Sequence, residues 1–180
     1  ENYNFGAITA TIAETDMTTL NTLQDTGNVL TITVSDASVV ATELDTLNGR
    51  TTGLVTLNAT SITGTRAEIN ATLATAATEV TGLASMNATA SGTSTVAEIN
   101  VTSALTTGAI TATISDNDLA TLDGLTDTGN VYTISVTDTT VAAATVNVLN
   151  GKTTGVVTLT STNVTGALSD LKDMYDANTA

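Results

Sequence analysis

The chain has 180 residues, a formal net charge of −14 and only four basic residues, Arg50, Arg66, Lys152 and Lys172; four scattered cations exclude the clustered positive surface that nucleic acid or anionic lipid requires. His, Cys, Pro and Trp are absent, which removes disulfides, thiolate metal sites, cysteine nucleophiles and the usual general base at neutral pH. Hydrophobic residues make up 41% but aromatics only 2%, so the core must be aliphatic, and no apolar run approaches the ~20 residues of a membrane helix.

Glycines at 6, 27, 53, 82, 108, 129 and 155 open seven segments. The first begins with Ile8, Ala10 and Ile12 alternating with Thr9 and Thr11, a half-buried strand. Met17, Leu20 and Leu23 follow at steps of three, one face of a helix. In the second, Thr31, Ile32, Thr33 and Val34 alternate, and Val40, Leu44 and Leu47 form the helical stripe. Asn48-Gly49 is expected to end that helix in a left-handed conformation. In the third, Gly53-Leu54-Val55-Thr56-Leu57 reads as a strand. Thr65 and Glu68 then form a capping box ahead of Ile69 and Leu73, hydroxyl and carboxylate satisfying the free amides of the first helical turn. The fourth is related to the third: GLASMNAT at Gly82 resembles GLVTLNAT at Gly53, and Thr95 to Glu98 repeats the capping box.

Segments five to seven repeat one to three at a constant offset of 102 residues. Gly6–Ile12 recurs unchanged as Gly108–Ile114, Gly27-Asn28-Val29 as Gly129-Asn130-Val131, and Gly53–Leu57 as Gly155–Leu159 with one change. The stripes recur as Leu119, Leu122, Leu125 and as Leu168, Leu171, Tyr175, and Asn150-Gly151 repeats the helix stop. A fixed period is the mark of an array. The expected fold is an α/β solenoid of about seven coils, one parallel strand and one short helix per coil, laid out like a leucine-rich repeat. An all-β solenoid is the alternative. The two 21-residue segments leave room only for very short or 3₁₀ helices. Residues 1–180 form a single repeat domain in this reading, with super-repeats 6–107 and 108–180. The chain begins with Glu1 and shows no signal peptide, which points to a removed leader or excision from a larger protein. The second copy stops at Ala180, before its fourth strand, which points to continuation.

Thr is unusually abundant, 44 of 180 residues. Alternation turns Thr9 and Thr11, Thr31 and Thr33, Thr56, Thr111 and Thr113, Thr133, and Thr158 and Thr160 outward, and stacking should align them into two hydroxyl ladders. Such a T-x-T face resembles that of β-solenoid antifreeze proteins, and the resemblance implies ice binding. Acidic residues gather after strands. Asp16, Asp36, Asp116, Asp118 and Asp138 are candidate Ca²⁺ ligands and, equally, candidate helix caps. Neither the RTX nonapeptide nor the EF-hand pattern is present, no pair of carboxylates is singled out for hydrolysis, and no Gly-rich phosphate loop occurs. Tyr3, Phe5 and Tyr175 lie near the ends, as caps or as joints between subunits.

The GxVTLxxT strand and the preceding ATxLDxLNGxTTG run, as in Ala41 to Gly53, resemble Thr/Asn/Asp-rich tandem-repeat arrays of very large secreted or cell-surface, adhesin-like proteins of marine bacteria and cyanobacteria. The resemblance covers essentially the whole chain. It implies a secreted or cell-surface structural role, and the strong acidity suits salty, calcium-containing water. The expectation is therefore a non-enzymatic segment of an extracellular surface, filament or adhesin-type protein. It has no catalytic residues and no cofactor other than candidate Ca²⁺. Its partners are neighbouring repeats or subunits end to end, with surface glycans or ice as further candidates.

Overall fold

A computed structural model of the chain describes residues 6–24, 26–75 and 77–179. Tyr3, Phe5 and Asp25 lie outside the described residues. The fold is mixed α/β, built on parallel strand pairs. The chain divides into two compact units, Glu1–Thr89 with Leu105–Gly108, and Ala90–Ala104 with Ala109–Ala180.

In the first unit, strands β1 (Thr9–Thr11), β2 (Val29–Val34), β4 (Val55–Leu57) and β6 (Val80–Thr81) pair in parallel in that order. Strands β3 (Ser38–Val40) and β5 (Ser61–Thr65) form a second parallel pair. Helices α1 (Met17–Leu20), α2 (Ala41–Asn48) and α3 (Arg66–Leu73) follow β1, β3 and β5, and α2 packs against both of the others. In the second unit, β7 (Asn87–Ser94), which enters from the first, β8 (Ile110–Ile114), β9 (Val131–Val136) and β11 (Val157–Leu159) run side by side. Strands β10 (Thr140–Ala142) and β12 (Asn163–Thr165) pair separately. Helix α4 (Val96–Ser103) follows β7. Helix α6 (Ala143–Gly151) packs against α5 (Leu119–Leu122) and α7 (Leu168–Thr179).

The helical content removes the all-β alternative. The one-strand-per-segment layout also needs correction: segments two, three, six and seven each carry two short strands before the helix. The 21-residue segments keep one strand and one helix, and those helices, α1 and α5, have four residues each, as short as their length demanded; segment four has the single strand β7 before α4, preceded by a 3₁₀ turn at Leu83–Ser85. In segments two, three, six and seven the extra strand occupies residues that the 21-residue segments lack.

Alternation decides what is buried. Leu30, Ile32 and Val34 of β2 are 6%, 0% and 0% exposed, and their inward neighbours across the sheet are Ala10, Val55 and Leu57. The helices turn Ala41, Leu44 and Leu47, or Ile69 and Leu73, to the same side. Val40, expected on the stripe of α2, instead ends β3 and is exposed; Ala41 takes the buried place. Both capping boxes form: Thr65 and Thr95 accept from the amides of Glu68 and Glu98, whose carboxylates accept in return from the cap amides. The left-handed stop does not form. Gly49 ends α2 at φ −68°, and Arg50 N–H donates to Leu47 O, so the last turn tightens in 3₁₀ fashion. Helix α6 runs through Gly151 and is capped by Lys152.

Candidate functional site

The outward face of the sheet follows the observed register. The residues expected there do face outward, but their neighbours differ by two positions from the expected ladders. Thr9 lies opposite Val29 and Thr11 opposite Thr31. Thr33 lies opposite Thr56, which lies opposite Thr81. In the second unit Thr111 faces Val131, Thr113 faces Thr133, and Ser135 faces Thr158. A shift of two keeps every side chain on its face, so alternation alone could not reveal it. Its consequence is a mixed surface of short hydroxyl rows broken by exposed Val29, Leu54, Val131 and Val156. Thr160 lies just past β11, where its amide and hydroxyl both donate to Val136 O, at 3.0 and 3.1 Å.

The five aspartates are spent on helix N-termini. Asp16 and Asp118 are the N-caps of α1 and α5, accepting from the amides of Thr19 and Thr121 at 2.9 Å. Backbone donation from Thr19 first, and its hydroxyl second, hold the Asp16 carboxyl below its ordinary value of 3.8. For Asp118 the Thr121 hydroxyl comes first and the backbone amide second, in the same direction. The other three reach back by one segment. Asp36 accepts from Met17 N–H at 2.9 Å, Asp138 from Leu119 N–H at 2.8 Å, and Asp116 from Val96 N–H at 2.7 Å. Helices α1 and α5 thus receive two carboxylates at their positive ends, one from their own segment and one from the next. Among the described residues no group of three or more acidic side chains converges as a metal cage.

The polar motif that sequence reasoning did not single out is Thr-Thr-Gly, at 51–53, 106–108 and 153–155. Its first Thr is buried, 8%, 8% and 7% exposed. Thr51 Oγ1 accepts from Leu30 N–H and Gly53 N–H and donates to Leu30 O, each at 2.8 Å. Thr153 makes the same bonds to Tyr132 and Gly155, and Thr106 binds Met86 O and Gly108 N–H. The second Thr donates its amide to the start of its own segment, at Asn28 O, Ala84 O or Asn130 O. The Gly admits the preceding backbone: a Cβ on Gly53, Gly108 or Gly155 would stand 2.2–2.3 Å from the carbonyl oxygen of Leu30, Met86 or Tyr132. Gly27 and Gly129 serve a different end, φ +81° and +82° in open space, and the Asn after each accepts one segment back, from Ile8 N–H and Ile110 N–H. The signal was visible as a thrice-repeated tripeptide, but its meaning required knowing which backbone lies beneath it.

Tyr132 stands where the first copy has Leu30, and both are buried. Burial pushes its phenol up to about 12, assisted by the nearby Asp127 carboxylate, itself bonded by Ser103. The phenol therefore stays neutral and serves as packing.

One cleft stands apart from these ties. Between α6, β11 and α7 lies a groove of about 470 Å³ lined by Val146, Val157, Leu159, Leu171, Met174 and Tyr175 among others. Its lining mixes these apolar side chains with Asn147 and Asn150, and Tyr175 is its one titratable side chain. Compared with known proteins, the chain matches no family model, no curated protein and no solved structure.

Proposed function

We propose that this chain is a non-enzymatic α/β solenoid segment of an extracellular surface, filament or adhesin-type protein, its coils stacked as in a leucine-rich repeat. The observation that carries the reading is the Thr-Thr-Gly clasp. Three times the same tripeptide spends a buried hydroxyl and a backbone amide on the strand start of its own segment, and a missing Cβ on the close approach of that backbone, so that the end of each coil is tied to its beginning. Arrays stabilised by nearest-neighbour contacts need such a device in each coil. The turn aspartates serve the same end, since three of the five bond an amide one segment back. The buried Thr hydroxyls and three of the turn aspartates are thus committed to tying successive turns of chain together. High negative charge keeps such a surface soluble in salt water.

Two measurements test this. A tandem fusion of two copies should lengthen in small-angle X-ray scattering by roughly 19 Å for each four-strand period, at about 4.8 Å per strand; a fusion that scatters as two unconnected globules would sink the solenoid. Protease treatment of intact source cells should cleave the protein at the surface, and complete protection until lysis would exclude the extracellular role.

Ice binding is the second reading, favoured by the row Thr33, Thr56, Thr81. Val29 and Val131 interrupt the neighbouring rows, which weakens a flat lattice match. Absence of thermal hysteresis at high protein concentration would dispose of it.

A further inference from the structure

We infer that the cleft between α1 and α2 binds one small hydroxyl-rich ligand, a single sugar ring. The site is independent of the coil-stacking argument, and rests on the extracellular reading only for where such a ligand is met.

The cleft holds about 290 Å³ and is lined by Thr18, Asn21, Thr42, Glu43 and Thr46. Its volume lies at the small end of ligand sites, which begin near ~300 Å³, so it suits one ring rather than a chain. These five side chains are all polar, three hydroxyls, a carboxamide and a carboxylate. Sugar hydroxyls, each both donor and acceptor, can satisfy such a mixture. One carboxylate among neutral groups is not a Ca²⁺ cage, and among the described residues no three acidic side chains converge.

Two of the five lack the duties that their counterparts perform. Glu43 is the third residue of α2, the position that Glu68 holds in α3 and Glu98 in α4. Those two carboxylates fold back into capping boxes. Helix α2 is preceded by Val40, which has no hydroxyl, and no such box forms. Asn21 caps α1 through its backbone N–H, yet its Oδ1 is sealed from solvent with no hydrogen-bond partner among the described residues. A buried oxygen left unpaired costs stability. Rotation about the last side-chain bond exchanges that oxygen with the amino group, so Asn21 can turn an acceptor to the cleft when a donor arrives.

The second copy of the repeat supplies the contrast. At the offset of 102 the five positions are Ala120, Asp123, Ala144, Thr145 and Val148. Lys152 Nζ meets Asp123 Oδ1 there at 3.1 Å. In the first copy the cation at that place, Arg50, donates instead to Gln24 O at 3.2 Å, and Asn21 is left alone. The cleft is not open because the chain starts nearby: Ala120, Ala144 and Val148 are exposed as well, with segments on both sides of them. The same two-helix surface is thus polar and unsatisfied in one copy, and largely apolar with an ion pair in the other.

Nitrogen–proton NMR of the full 180-residue chain, with D-glucose, D-galactose or D-mannose added to about 200 mM, tests this. A ligand of this size is expected to bind in the millimolar range. At least one sugar should shift the amides of Thr18, Asn21, Thr42, Glu43 and Thr46 saturably and leave those of Ala120, Asp123, Ala144, Thr145 and Val148 in place. Thr18→Ala, Thr42→Ala, Glu43→Thr and Thr46→Val together install residues with which the second copy folds, and should abolish the shifts. Glu43→Gln alone, a change on an exposed side chain, should weaken binding about tenfold and keeps the test open if the fourfold variant fails to fold. No saturable shift with any of the three sugars, shifts spread over both copies, or variants that bind like wild type would each overturn the inference. So would millimolar Ca²⁺ shifting the same five amides and displacing the sugar. A protein at the cell surface that binds none of the sugars sinks this site alone; sugar binding by a protein protected from protease until lysis sinks the extracellular reading and leaves the site.

Discussion

Segments three and seven carry the same strand, Val-Thr-Leu, at 55–57 and at 157–159. In segment three Val55 and Leu57 are 0% and 7% exposed; in segment seven both counterparts are half-buried. The helices differ in the same sense. Ile69 and Leu73 are buried, while Leu171 is partly open and Tyr175, at the position of Leu73, is largely exposed. Identical strands with different burial show that a segment's hydrophobic residues are stabilised by the segment after it. The first segment differs from its copy in the same way, since Ile8 is 51% exposed and Ile110 1%. Stability in such a chain resides in the contacts between segments more than within them.

The sharpest way to break this comparison is to fill a clasp. Gly53→Val should abolish cooperative folding, because its Cβ would meet the Leu30 carbonyl at 2.3 Å; the cost lies at or beyond the roughly 3 kcal/mol upper range of overpacking. Gly6→Val should leave the circular-dichroism melt within about 0.5 kcal/mol of wild type. Equal effects at the two glycines would refute the account of the clasp. Next in size, Leu57→Ala should cost about 2–5 kcal/mol in urea denaturation, the ordinary range for a buried leucine, and Leu159→Ala distinctly less. Similar losses would mean that the neighbouring segment is not what buries them. Thr51→Val keeps the volume but strips the hydroxyl from Leu30 N–H and Gly53 N–H, and should cost about 1–3 kcal/mol per unsatisfied buried group. Thr56→Val, on the outward face, should be nearly neutral, and a large loss there would show that the hydroxyl rows are structural.

Two smaller effects concern the helix caps. Asp16, Asp118 and Glu68 are held below their ordinary values by hydrogen bonds, from backbone Thr19, from the Thr121 hydroxyl and from backbone Thr65 respectively. A carboxyl with a lowered folded value stabilises fully above its unfolded value. That contribution is lost as pH falls through the lower folded one. The melting temperature should therefore drop on acidification below about pH 4, and Asp16→Asn with Asp118→Asn should flatten that drop. If the aspartates act only as caps, chelator or added Ca²⁺ should leave the melting temperature unchanged. A rise that saturates with Ca²⁺ would instead assign Asp16, Asp36, Asp116, Asp118 or Asp138 to a metal site.

Much of the local structure was legible from the chain. Alternation placed β2 and β9, helical spacing placed α3 and α5, and Thr65-x-x-Glu68 and Thr95-x-x-Glu98 announced helix starts that form as capping boxes. These succeed because each depends on residues within one turn or one strand. The extra strands β3 and β10 were not legible, since Ser-Val-Val and Thr-Val-Ala are too short to show alternation. The ladders failed for a related reason: a shift of two residues leaves the pattern along each strand unchanged. The Thr-Thr-Gly motif was visible as letters, but a buried hydroxyl that serves backbone distant in sequence cannot be told from a surface one by its neighbours in sequence.

By itself the sequence determined the 102-residue period, the segment lengths, the aliphatic core and the helix starts, because these follow from side-chain periodicity and local hydrogen bonding. Only the tertiary structure decided the register between strands, the backward reach of Asp36, Asp116 and Asp138, and the difference between glycines needed for a dihedral and glycines needed for close approach. It also decided which copy of an identical strand is covered. Each of these depends on a backbone some 20 or more residues away, and spacing within a segment carries no information about where that backbone lies.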